Sequence, residues 1–217
     1  MVKHNACVIV MSLILLFALS SVHGAWAGPP TDQLREGVER VLTILRDPEL
    51  AGEKKADQRK TAINKVAGEI FDFDEMAKRS LGQHWDQRTP AEREEFGRLF
   101  TELIQRSYVS KVDQHGGATK MTYRGETVDD DYAVVRTTIP LAHGNEMPLD
   151  YRMHNTSDRW QVYDLSMDGI SLVANYRSQF NKIIRTSSYA ALVAKFKSNQ
   201  AEFSTPSTAP SEGKAAR

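Results

Sequence analysis

The chain of 217 residues carries 28 basic and 28 acidic side chains, a balance that leaves no basic footprint for nucleic acid and no strong pull toward an anionic membrane surface. One cysteine, Cys7, excludes a disulfide framework and a thiolate metal cage. The length suffices for one domain held by its own core.

The chain opens with Lys3, an apolar run from Val8 to Leu19 and small residues at Ala25 and Ala27. The run is shorter than the ~20 residues that span hydrocarbon, so residues 1–27 read as a cleavable secretory signal peptide and not an anchor. Cleavage after Ala27 removes 27 of the 217 residues and takes Lys3 and Cys7 with them, which leaves 190 residues with 27 basic and 28 acidic groups. Residues 28–203 are expected to form a single domain. Residues 204–217, "TPSTAPSEGKAAR" after Ser204, have the composition of a disordered tail.

Within the domain, Leu34, Val38, Val41, Leu42 and Leu45 recur at helical spacing from Asp32 to Arg46, with Thr31 in position to cap. A lysine-rich second helix, about Lys54 to Ile70, keeps Ile63, Val66, Ala67 and Ile70 on one face. A short third helix follows, capped by Asp72 or Asp74 and ended by Gly82. "TPAE" at Thr89 to Glu92 is a capping box with Pro at the first helical position. It predicts a long helix with an apolar stripe of Phe96, Leu99, Phe100, Leu103, Ile104, Tyr108 and Val112, running to Gly116-Gly117.

The period then changes. "KMTYRGETV", "YAVVRTTIPL", "EMPLDYRM" and "RWQVYDLSM" are four strand-like runs separated by "DDD", "HGN" and "NTSD". In the third, Met147, Leu149, Tyr151 and Met153 fall on one face and Asp150, Arg152 and His154 on the other. Helices over Ser171 to Arg185 and Ser188 to Phe203 complete the domain. Helices first, an antiparallel meander next and helices last describe an α+β fold. A four-stranded meander curved around one long apolar helix gives a cone-like shape that can enclose an apolar cavity.

Sites for chemistry are scarce. His84, His115, His143 and His154 lack the i, i+3 or i+4 spacing of a helical metal pair. No G-x-S-x-G elbow and no phosphate loop is present, and Asp129, Asp130 and Asp131 read as a solvated turn. No cofactor is expected. Asp150, Asp164 and Asp168 are the carboxylates that a pocket enzyme would use for acid or base work, against a reading as paired strand carboxylates. Of the five methionines beyond residue 27, Met121, Met147, Met153 and Met167 fall in the predicted strands. Such a wall adapts to irregular partners.

The order of motifs is more specific than any one of them. The stretch from Phe71 to Gly117, "PLDYRM" at Pro148 to Met153, and "WQVYDLSMDGISLVANYRSQF" at Trp160 to Phe180 resemble the toluene-tolerance or MlaC family of periplasmic phospholipid-binding proteins. The likeness covers about Leu34 to Phe203. It implies a monomeric periplasmic phospholipid carrier working between an outer-membrane lipoprotein complex and an inner-membrane ABC transporter with an MCE-domain subunit, in the service of outer-membrane lipid asymmetry. It implies no catalysis and no nucleic-acid partner. A hopanoid-associated branch of the same family is the nearest alternative. A pocket enzyme using Asp150 or Asp164 is another, and an interaction protein with a filled core is a third.

Each methylene kept from water contributes roughly 0.8 kcal/mol, so a chain of about 16 carbons is worth on the order of 10 kcal/mol. Such a carrier must therefore enclose its ligand. The residues expected to line the space are Phe100, Leu103, Ile104 and Tyr108 on the long helix and Met121, Tyr123, Met147, Leu149, Tyr151, Met153, Trp160 and Val162 on the strands. Leu172, Val173, Tyr176 and Phe180 on the next helix complete the set. Each could equally be a core residue that touches only protein. Arg177 is the candidate for a headgroup phosphate, with a surface or Asp-paired role as the competing reading. Asp168-Gly169 is expected to act as a hinge between the last strand and a helical lid.

Overall fold

The computed structural model describes residues 28–109, 112–113, 120–141, 144–157, 159–198 and 203. The expected signal peptide, the expected tail, His115, His143 and Gly116-Gly117 lie outside the described residues. Among the described residues, six α-helices and a five-stranded antiparallel sheet of order β1-β2-β3-β4-β5 make up the fold.

Helix α1 spans Pro29–Arg46 and begins earlier than the sequence suggests. Proline fits the first turn because its missing N–H would be unpaired there anyway. Thr31 is consequently not the cap: it is buried in the first turn, where its N–H and Oγ1 donate to Glu126 of β1 at 2.9 and 2.5 Å. The sheet thus satisfies helix-end donors that a local cap would otherwise take. Two short 3₁₀ turns, Pro48–Leu50 and Glu53–Lys55, lead to α2, Ala56–Ile70. Asp72 then caps α3, Phe73–Leu81, by accepting from the Glu75 N–H at 2.9 Å, and Gly82 ends it with a φ of 56°. A side chain would be strained in that left-handed conformation.

The capping box forms as the sequence reads. The Glu92 N–H donates to Thr89 Oγ1 at 3.3 Å and the Thr89 N–H to Glu92 Oε2 at 2.8 Å, opening α4 over Pro90–Ile104. The expected single long helix changes form after Ile104. Gln105–Val109 is a π-helical turn, which inserts one extra residue per turn and re-aims the side chains beyond it.

Strands β1 (Thr122–Asp129), β2 (Tyr132–Pro140), β3 (Glu146–Thr156) and β4 (Arg159–Met167) form the meander. Met121 stands one residue before β1, outside the strand that the sequence assigns it to. The junction at Asp168-Gly169 is a tight hairpin to a fifth strand, β5, Ile170–Ser171, which pairs Met167 with Ile170. Both turn residues have positive φ, 48° and 77°, the arrangement whose twist suits a two-residue hairpin. The expected hinge is therefore tied into the sheet. Ser171 caps α5, Leu172–Thr186, and Ser188 caps α6, Tyr189–Lys197, which ends short of the expected Phe203.

Candidate functional site

The meander places two rows of side chains back to back. On the inner face of β3, Leu149 lies opposite Thr137 of β2 and Met167 of β4, Tyr151 opposite Val135 and Leu165, and Met153 opposite Ala133 and Val162. Packing along this face is uneven. Met147, Leu149, Tyr151 and Met167 each keep 7 % of their surface exposed, whereas Met153 keeps 1 % and Val135 and Val162 none. The wall is fully covered at its Met153 end and slightly less so toward Met147.

Tyr123 brings a polar tip to this wall. The register of β1 against β2 shifts between Tyr123 and Gly125, and Gly125 takes a φ of 122°. A bulge of this kind re-aims the neighbouring side chain. The Tyr123 Oη is buried and has no hydrogen-bond partner among the described residues. Above its ring lies the Arg35 guanidinium, 4.6 Å from the centroid, an ordinary cation–π distance. Burial pushes the Tyr123 hydroxyl up to about 12, with Arg35 opposing the shift and Glu39 adding to it. Burial also raises Tyr151 well above the usual phenol range, and Tyr123 reinforces that rise. The two rings share one face of the sheet: Tyr123 lies opposite Thr137 and Thr137 opposite Leu149, two residues from Tyr151 on β3.

A second tyrosine pair sits on the helical side. Tyr108, on the π-turn, and Tyr176, on α5, are both raised chiefly by burial, and their hydroxyls interact with each other. The geometry is looser than that of a well-formed hydrogen bond. Leu103, Ile104, Leu172 and Val173 are buried in the same core as these rings.

Phe100, Tyr176 and Phe180 belong to an aromatic cluster. Phe180 meets Phe96 edge-on at 5.8 Å and Phe196 at 5.5 Å, and Tyr176 stacks on it at 5.5 Å. Phe100 meets Tyr176 at 5.8 Å and Phe203 meets Phe180 at 5.3 Å. Trp160 lies at the hairpin end of β4, where its N–H donates to Gln33 Oε1 of α1 at 2.8 Å. The structure thus gathers Tyr123, Met147, Leu149, Tyr151 and Met153 on one wall, and it seats Phe100, Tyr176 and Phe180 among other rings.

Arg177 is elsewhere. Its Nε donates to the Arg79 carbonyl at 2.7 Å, and with Arg79, Arg152, Tyr163, Asp164 and Ser171 it lines a pocket of about 290 Å³ beside the outer face of β3 and β4. Helical spacing explains this: Tyr176 and Phe180 share a face, and Arg177 is rotated away from it. Asp164, the candidate base, is fully engaged. It accepts from Ser171 Oγ at 2.6 Å, the Val173 N–H at 3.1 Å and Arg152 Nη1 at 3.1 Å, and so fixes the start of α5. Asp150 pairs across the strands with Ser166 and faces away from the inner wall, and Asp168 is exposed in its turn. A larger hollow of about 730 Å³ runs along Asp74, Trp85, Arg93, Arg98 and Glu102. Neither hollow is lined by the inner face of the sheet, so neither is the enclosed apolar chamber that the sequence leads one to expect.

Among the described residues no group of three or more His, Cys, Asp or Glu side chains could hold a metal ion, and no helix is long and apolar enough to cross a membrane. His84 meets Asn181 and His154 meets Asp72, each at 3.0 Å. Arg35 is the residue of this region that sequence reasoning misses. Its only signal is its place beside Leu34 on α1.

A family model described as MlaC protein matches residues 35–198. The chain belongs to the MlaC family. MlaC-family relatives include the intermembrane phospholipid transport system binding protein MlaC of Haemophilus influenzae, 24 % identical over 126 residues that make up 56 % of this chain and 59 % of that one. Another is the toluene tolerance protein ttg2D of Pseudomonas putida, 21 % identical over 61 % of this chain and 66 % of that one. The chain thus spans roughly three-fifths to two-thirds of the length of these relatives. A structure of the phospholipid-binding protein from Ralstonia solanacearum, solved in complex with a phospholipid, aligns with a TM-score of 0.68 at 26 % identity, covering 80 % of this chain and 98 % of that one. The MlaC-family fold is thus the α+β meander and helices described above.

Proposed function

We propose that this MlaC-family chain is a periplasmic phospholipid carrier. It holds acyl chains against the inner face of β3 and passes its ligand between an outer-membrane lipoprotein complex and an inner-membrane ABC transporter with an MCE-domain subunit. The observation that carries the reading is the alignment of nearly the whole Ralstonia solanacearum protein, itself solved with a phospholipid, on this chain. The unevenly packed wall of Met147, Leu149, Tyr151 and Met167 supports the placement of the chains. Methionine and leucine there adapt to a flexible alkyl ligand without a directional contact. Leu103, Ile104, Tyr108, Met121, Leu172 and Val173 would complete the enclosure by shifting apart when the ligand enters, backed by the fixed rings of Phe100, Tyr176 and Phe180. The protein itself performs no catalytic step in this reading, and Asp164 serves the fold.

Native mass spectrometry of protein purified from the periplasm tests the proposal. A phospholipid mass should accompany the chain, and Leu149→Arg should lower its occupancy at least about tenfold, because a charge would lie where an alkyl chain must go. A lipid-free mass combined with no uptake from phosphatidylethanolamine vesicles would overturn the carrier reading. Undiminished retention by a folded Leu149→Arg protein would remove the β3 face from the site.

A further inference from the structure

Buried polar groups in folded proteins are nearly always hydrogen-bonded, and one left unpaired costs about 1–3 kcal/mol. The Tyr123 hydroxyl departs from this rule at a position where phenylalanine would pack equally well: it is buried on the inner side of β1 without a partner. A second phenol, Tyr151, faces the same interior from β3, two residues along from Leu149, which lies opposite Thr137 as Thr137 lies opposite Tyr123. The strand between them offers no relief. Thr137 faces the same interior from β2 and donates to the Leu149 carbonyl at 3.0 Å, and among the described residues its oxygen takes no hydrogen bond from the Tyr123 hydroxyl.

The missing partner has definite chemistry. Both phenols stay protonated at neutral pH because burial disfavours the phenolate, so each presents a donor. The group that satisfies them must accept. It must also be neutral, since the surrounding Leu149, Val135 and Leu165 side chains would leave a buried charge uncompensated. A phosphate fails this condition at the depth of the hydroxyls. The position of Arg35 indicates the polar direction: its half-exposed guanidinium lies over the Tyr123 ring and makes an exposed contact to Asp32 at 3.2 Å. Solvent and any charged headgroup therefore belong on the Arg35 side, and alkyl chains on the side of Leu149 and Met167.

Between a charged headgroup and its alkyl chains a glycerophospholipid carries two ester carbonyls, which are neutral and accept hydrogen bonds without donating any. We infer that Tyr123 and Tyr151 donate to these ester carbonyls, so that the site selects ester-linked glycerolipids over lipids with the same chains but no carbonyl at that depth. This inference rests on the carrier reading above and narrows it. It distinguishes a diacyl lipid from a polycyclic hydrocarbon, which has no acceptor to offer the two phenols. A single trapped water bridging the hydroxyls is the competing occupant, and it would give no such selection.

The experiment compares two lipids on the same protein. Delipidated full-length protein is titrated with a diacyl phosphatidylethanolamine and with the ether-linked dialkyl phosphatidylethanolamine of equal chain length, which lacks only the carbonyls. The diacyl lipid should bind about five- to tenfold more tightly, as expected for one or two net hydrogen bonds. In the double variant Tyr123→Phe, Tyr151→Phe the ratio should fall to about one. Thermal melts establish that both proteins are folded. Equal affinities for the two lipids in the parent protein would overturn the inference, as would an undiminished ratio in the double variant. Failure of both lipids to bind would overturn the carrier reading and this one with it, whereas equal binding of both overturns this one alone.

Discussion

The interior of this protein is largely apolar, but its two halves are packed on different principles. Between α4, α5 and α6, the rings of Phe96, Phe180 and Phe196 meet mostly edge to face at 5.5–5.8 Å. Offset and edge-on pairs of this kind add to burial a directional preference, which fixes each ring against the next. Across the inner face of the sheet, by contrast, the less covered end of the wall is built from Met147, Leu149 and Met167 with phenols at its margin. Flexible aliphatic and thioether side chains give no such lock. The difference separates a scaffold whose rings lock one another from a wall whose side chains can rearrange.

The largest expected effect breaks the scaffold. Phe180→Ala removes a fully buried ring from the centre of the cluster and should cost about 3–5 kcal/mol of stability in a urea titration. Lipid retention in the remaining folded fraction should change little if the cluster is structural. A Phe180→Ala protein that keeps its stability but loses lipid would reverse the assignment of the two regions.

The next effect lies within the wall. Met153 and Met147 have the same side chain on the same face of β3, at the fully covered and the less covered end. Truncation at the fully covered end leaves a cavity among fixed neighbours, so Met153→Ala should cost about 2–5 kcal/mol, and Met147→Ala should cost at least ~1 kcal/mol less in the lipid-free protein. Equal losses would mean that the wall is uniformly packed and that the gradient in exposure has no energetic content.

The sequence discloses the walls of this arrangement better than their use. Strict alternation from Met147 to Met153 predicts the inner face because a strand has a period of two whatever surrounds it. The capping box at Thr89 is equally local and equally legible. Features that depend on distant partners are not. Thr31 reads as a cap until Glu126, 95 residues away, is seen to take its hydrogen bonds. The π-turn after Ile104 and the bulge beside Gly125 each change which way a tyrosine points, and neither leaves a periodic signal. Phe100, Tyr176 and Phe180 share the composition of a ligand wall, and only the ring contacts show that they occupy one another. Arg177 illustrates a different failure: its neighbour Tyr176 lends it significance in the linear sequence, although adjacent residues on a helix face different ways.

The smallest effect sharpens the wall itself. The Tyr123 hydroxyl is held up to about 12 in the folded protein by burial, against an ordinary value near 10 in the unfolded chain. Below pH 10 both states keep the proton, and this group gives stability no pH dependence. Between pH 10 and about 12 the unfolded chain releases the proton while the folded protein retains it, so stability falls as pH rises through that interval. Tyr123→Phe removes this contribution, and a buried hydroxyl without a partner is no loss at neutral pH. Urea midpoints across the interval should therefore fall less steeply for the variant than for the parent, with the two proteins equal or the variant slightly ahead near neutrality. A lipid carbonyl accepting from the hydroxyl would favour its neutral form further and widen the difference between the loaded proteins. Parallel curves, loaded and empty, would place the Tyr123 hydroxyl in water and return this part of the wall to ordinary core.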